Sequence, residues 1–89
     1  MTTYTITRNN ETIGKVAAFS RIDAAAIFAA RLDKRAFARK EADGTFQATV
    51  RRPKLARFET VGEPYRVLTP EENQSRYMAH LDPVGASVA

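Results

Sequence analysis

The sequence predicts an α+β fold in which an antiparallel sheet of four to five strands, formed by two hairpins, packs on one central helix, with a second helix at the C-terminal end. Three observations carry that expectation. Alternating segments flank Asn9-Asn10 and Asp43-Gly44; apolar residues recur at helical spacing from Arg21 to Asp33; and Thr69-Pro70-Glu71-Glu72 has the form of a helix start. With 89 residues the chain holds material for one core. The expected organisation is a single domain over residues 1–82 and a short flexible tail over 83–89.

Tyr4-Thr5-Ile6-Thr7-Arg8 alternates its side chains and is rich in β-branched residues, and Thr12 to Ala18 offers a second extended run. Asparagine tolerates the left-handed backbone of a tight turn, so Asn9-Asn10 predicts a hairpin. Ile13 and Val16 fall on opposite parities of a two-residue repeat, which points to a bulge near Gly14.

Ser20 is the expected N-cap of the first helix, with Asp23 placed to favour its N-terminus. At 100° per residue Ile22, Ala25, Phe28, Ala29, Leu32 and Ala36 share one face, the expected core face. Asp23, Ile27, Arg31 and Lys34 share the other, where Ile27 is an aliphatic residue on the wet side.

Asp43-Gly44 between alternating runs is the strongest hairpin signal in the chain. In the returning strand Phe46, Ala48 and Val50 should face the core, and Gln47, Thr49 and Arg51 the opposite side; Pro53 should end it. From Lys54 to Thr69 the periodicity weakens around Gly62 and Pro64, which leaves Tyr65 to Leu68 as a short edge strand. The second helix then starts with Thr69 at the N-cap, Pro70 at the first position and Glu72 completing a capping box. It is expected to run from Pro70 to about Leu81 at one edge of the sheet, with Gln74, Tyr77, Met78 and Leu81 on one side.

Charge is unevenly distributed. Between Arg31 and Arg57 nine basic residues (Arg31, Lys34, Arg35, Arg39, Lys40, Arg51, Arg52, Lys54 and Arg57) face three acids, for a net +6, while the rest of the chain is net −2. Such an asymmetry predicts a directional field and a negatively charged partner. The nine are therefore the candidate binding residues, with Arg31, Lys34, Arg39, Arg51 and Arg52 expected to lie side by side. The expected partner is an acidic protein surface or a nucleic-acid-processing complex, with nucleic acid itself as the alternative.

No catalytic constellation emerges. His80 is the one histidine, there is no cysteine, and Asp82 is the only acid nearby, too little for a transition-metal site. Glu71-Glu72 is explained by the helix start, and the four glycines are isolated rather than gathered in a phosphate loop. The expectation is a protein with no cofactor or metal and no enzymatic activity. A small ribonuclease toxin is permitted by size and basicity, but one histidine without a convincing acid/base pair counts against it. The aromatic residues, from Tyr4 to Tyr77, are spread evenly and most are expected in the core; Phe37 or Phe46 exposed between arginines would instead offer a surface on which bases stack.

The lack of cysteine fits a reducing compartment. No apolar run approaches the roughly 20 residues of a membrane span, and Met1 to Ile6 lacks the basic and apolar regions of a secretion signal. A cytoplasmic protein, intact from Met1 and not associated with membrane, is expected.

The order of hairpin, alanine-rich helix and basic hairpin over Thr3 to Arg52 resembles the build of small phage-encoded inhibitors of the anti-CRISPR type, which are short, poor in cysteine and without enzymatic motifs. The likeness lies in size, composition and layout, and no residue role is carried over. It implies a rigid surface that occludes a site on a nucleic-acid-processing complex. The basic block departs from those members that mimic DNA with a negative surface.

Overall fold

The computed structural model describes residues 1–76, and among the described residues there are five strands, one complete α-helix and the opening of a second. In chain order they are β1 (Thr2–Arg8), β2 (Glu11–Ala18), α1 (Arg21–Leu32), β3 (Phe37–Lys40), β4 (Phe46–Arg52), β5 (Arg57–Leu68) and the opening of α2, residues 70–76. The strands make one antiparallel sheet in the order β2-β1-β5-β4-β3.

Both expected hairpins form, for the reasons their turns supply. Asn9 and Asn10 both take positive φ, 52° and 63°, as a two-residue turn between twisted strands requires. In the second hairpin Gly44 sits at φ 85°, and the Asp43 carboxylate accepts hydrogen bonds from the Thr45 amide and hydroxyl at 3.0 and 2.6 Å. The register between β1 and β2 slips between Ile6 and Thr7, which leaves Ile13 as the extra residue of a bulge.

One sheet face carries the core. Tyr4 and Ile6, Val16 and Ala18, Phe46 and Ala48, and Tyr65 and Val67 meet Ala24, Ala25, Phe28 and Ala29 of α1. Ser20 caps the helix by accepting from the Asp23 amide at 3.2 Å. The Tyr65 hydroxyl donates to the Ala25 carbonyl at 2.7 Å, tying helix to sheet.

The core face of α1 differs from the one expected. Ile22 and Leu32 are 59% and 39% exposed, whereas Ala24 is fully buried. The helix is seated on its two middle turns through small alanines, so residues of its first and last turns overhang the sheet. Of the described aromatic residues, Tyr4, Phe28, Phe46 and Tyr65 are in the core as expected, while Phe19, Phe37 and Phe58 stand exposed.

The larger correction concerns β5. Instead of a short edge strand at Tyr65–Leu68, the sheet holds a 12-residue strand at its centre, paired with β4 along its first part and with β1 at its end. Gly62 and Pro64 do not break it because they fall in a bulge: the register shifts between the pairs Phe46↔Tyr65 and Ala48↔Val61, and Gly62 takes φ 69°. Proline lacks an N–H, and a bulge is where a strand can omit one. A single 3-10 turn, Pro53–Leu55, joins β4 to β5.

The capping box at the start of α2 forms as expected: Thr69 Oγ1 accepts from the Glu72 amide at 3.1 Å and Glu72 Oε1 from the Thr69 amide at 2.9 Å. Rather than lying beside an edge, this segment crosses the outer sheet face over β1 and β2. Arg76 donates to the Asn10 carbonyl and Thr12 hydroxyl, and Thr5 and Thr7 are buried on that face. The expected course of α2 to Leu81, its apolar side at Tyr77, Met78 and Leu81, His80, and the tail over 83–89 lie outside the described residues.

Candidate binding face

Strand alternation decides where each basic residue points. In β4, Phe46, Ala48 and Val50 face α1, so Gln47, Thr49 and Arg51 face outward and Arg52 turns back to the helix side. The pairs Phe37↔Thr49, Arg39↔Gln47 and Arg51↔Phe58 place Phe37, Arg39 and Phe58 on the same outer face.

The basic block consequently divides. On the helix side Arg52 and Arg57 both bind the Glu59 carboxylate, at 3.0 and 3.1 Å, and these two hydrogen bonds hold it below the usual glutamate range. Arg35 lies 3.5 Å from Asp33, whose carboxyl is lowered first by the Arg35 amide. Arg31 donates to the Lys15 carbonyl. Lys34 follows the helix in the turn, Lys40 ends the edge strand, and Lys54 lies in the turn between β4 and β5, all exposed. Arg39 and Arg51 stand apart from these on the outer face and make no ion pair among the described residues. The five residues expected side by side therefore do not share one surface: Arg39 and Arg51 occupy one side of the sheet, and Arg31, Lys34 and Arg52 the other.

Two aromatic rings share this face with the two outer arginines. Phe37 and Phe58 are 43% and 57% exposed and meet edge to face, with centroids 6.0 Å apart. Their strands are two positions apart in the sheet, a backbone separation of about 10 Å. The rings therefore lean toward each other over β4, which explains why Thr49 beneath them is only 2% exposed. Gln47 is nearly as buried and donates its amide to the Gly62 carbonyl at 3.1 Å, so it braces the bulge rather than offering a free donor. The result is an apolar ridge on the face that also carries Arg39 and Arg51.

Phe58 has no place in the sequence reading of this site. Its signal is the alternation of Arg57 to Val61, which puts Phe58 and Thr60 on one side and Arg57, Glu59 and Val61 on the other. Among the described residues no three His, Cys, Asp or Glu side chains gather as a metal site, and no helix is long and apolar enough to cross a membrane. Compared with protein-family models, curated proteins and solved structures, the chain finds no match in any of the three.

Proposed function

We propose that the chain is a non-catalytic binding protein whose outer sheet face takes single-stranded nucleic acid at Phe37, Phe58, Arg39 and Arg51. The observation that supports this reading is an exposed aromatic pair that shares one sheet face with two arginines that have no carboxylate partner among the described residues. Every base has an apolar face that stacks on an aromatic ring, worth about 1–3 kcal/mol per base. Guanidinium groups neutralise the adjoining phosphates and release counterions. A flat ridge suits splayed bases better than a duplex, whose bases are already stacked on one another.

The test is fluorescence anisotropy of labelled single-stranded RNA, single-stranded DNA and duplex over a range of salt. Phe37→Ala/Phe58→Ala should weaken single-strand binding about thirtyfold or more, two stacking contacts of at least about 1 kcal/mol each being lost, with the salt slope unchanged. Arg39→Gln/Arg51→Gln should lower the magnitude of that slope by about 1.4, or 0.7 per phosphate contact. Arg35→Gln/Arg57→Gln, on the helix side, serves as the control. Wild-type affinity retained by the phenylalanine variant would overturn the proposal.

A second reading uses the same ridge. Phenylalanine and arginine are also enriched at the centres of protein interfaces, which favours an inhibitor that occludes an acidic site on a nucleic-acid-processing complex. Under that reading the isolated chain binds strands weakly, and a partner captured from lysate survives nuclease treatment.

A further inference from the structure

Beyond the ridge the sheet narrows to two strands. β3 reaches along β4 only as far as Thr49, and β1 pairs with β5 only from Arg66 to Leu68. The pairs Val50↔Glu59, Arg51↔Phe58 and Arg52↔Arg57 therefore form a two-stranded ribbon with no further strand on either edge among the described residues. Val50 anchors its base at 1% exposed, and from Arg51 to Phe58 every residue is exposed except the half-buried Arg52. The 3-10 turn Pro53–Leu55 closes the ribbon, the Ala56 amide donating to the Pro53 carbonyl at 3.1 Å. Lys54 and Leu55 stand exposed in that turn.

Charge gathers on this ribbon. From Val50 to Glu59 there are four basic residues and one acid, a net +3. Glu59 takes Arg52 and Arg57 together, so one carboxylate answers two cations. Arg51 and Lys54 have no ion pair among the described residues.

The dimensions suit one form of nucleic acid. Two residue pairs and the turn beyond Val50 project roughly 10 Å, at about 3.4 Å per residue. The major groove of B-form DNA is about 8.5 Å deep and, at about 12 Å wide, admits a two-stranded ribbon. The major groove of A-form RNA is too narrow for side chains to read. Phe58 and Arg51 belong to both features, since the pair that stands on the ridge is also the second pair of the ribbon.

We propose that the ribbon enters the major groove of duplex DNA turn first, so that the substrate is a single strand leading out of a DNA duplex, an inference that rests on the proposed function for the strand and on the ribbon's own geometry for the duplex. Lys54 meets a phosphate of the groove, Arg52 and Arg57 bring their excess charge to its wall, and Phe58 receives the first unpaired base.

Fluorescence anisotropy on the full chain compares one DNA single strand alone, the same strand as a tail on a DNA duplex, and the same strand as a tail on an RNA duplex. Wild type should bind the DNA-duplex probe about tenfold or more tighter than the plain strand, with a salt slope steeper by about 0.9 for each duplex phosphate added. The RNA-duplex probe should give no such gain. Lys54→Gln, an exposed change that should leave the melting temperature in place, should shrink the gain and take about 0.9 from the slope on the DNA-duplex probe alone, with Lys54→Arg close to wild type. Equal wild-type affinity for the plain strand and the DNA-duplex probe overturns the inference. So does an equal gain on the RNA duplex, or a Lys54→Gln variant that keeps the full gain and slope. Wild type that binds the DNA-duplex probe and not the plain strand, with the slope still reduced by Lys54→Gln, supports the ribbon and counts against the ridge, which Phe37→Ala/Phe58→Ala on the plain strand judges separately.

Discussion

Replacing Tyr65 by phenylalanine removes one oxygen from the best-defined link between helix and sheet. Tyr65 is 1% exposed, its ring packs on Phe28 and Phe46 at centroid distances of 4.8 and 6.2 Å, and its hydroxyl reaches the Ala25 carbonyl at 2.7 Å. Phenylalanine keeps the ring contacts. Ala25 lies inside α1, so its carbonyl still accepts the helical amide four residues on. The loss is therefore one neutral hydrogen bond with no orphaned acceptor, about 1 kcal/mol. In a domain of this size that lowers Tm by roughly 4–8 °C.

Alkaline pH supplies an independent check. Burial pushes the Tyr65 hydroxyl up from its ordinary 10 to about 12. Because the folded value is the higher one, the associated stability is fully present below about pH 10 and is lost as pH rises toward 12. Tyr65→Phe has no such group to titrate. Thermal melts followed by circular dichroism should therefore show the wild type ahead near neutral pH and its advantage shrinking above pH 10. A variant that melts with the wild type at neutral pH, or a gap that stays constant through the alkaline range, would refute the assignment of that hydrogen bond.

Two further stability predictions follow from positions already described. Gly44→Val should cost about 1–3 kcal/mol in a denaturant titration, from the left-handed backbone at φ 85° rather than from a clash, since the nearest atom to an added Cβ is Arg66 Nη1 at an ordinary 3.5 Å; Gly44→Asn should recover part of the loss. Phe28→Ala, in the core beneath α1, should cost about 3–5 kcal/mol, whereas Leu32→Ala, at 39% exposed, should cost about 1 kcal/mol or less. Equal losses in the two variants would show that the seat of the helix is misplaced.

Much of the fold is legible because its signals are local. Asn9-Asn10, Asp43-Gly44, Ser20 and Thr69-Pro70-Glu71-Glu72 each fix their own backbone through a turn conformation or a cap. β5 is illegible for the complementary reason. Gly62 and Pro64 are breakers in isolation, and only the partner strand shows that they sit in a bulge where a missing N–H costs nothing in the ladder. The face of α1 is intermediate: periodicity identifies the stripe, but the seat is set by where Tyr65 and Phe46 rise from the sheet, and that favours Ala24 over Ile22.

The charge block shows why composition locates a candidate surface without orienting it. Arg51 and Arg52 are neighbours in sequence, yet β-strand alternation sends them to opposite sides of the sheet. On the helix side the acids meet the arginines: Glu59 takes Arg52 and Arg57, and Asp33 takes Arg35. On the outer side no carboxylate lies within ion-pair distance of Arg39 or Arg51 among the described residues, and Phe37 and Phe58 share that face with them. Exposed pairs such as those on the helix side contribute little to stability, but they do cancel the local field. The field that reaches a partner is therefore set by the few arginines that the alternation leaves unpaired, and these stand beside exposed rings.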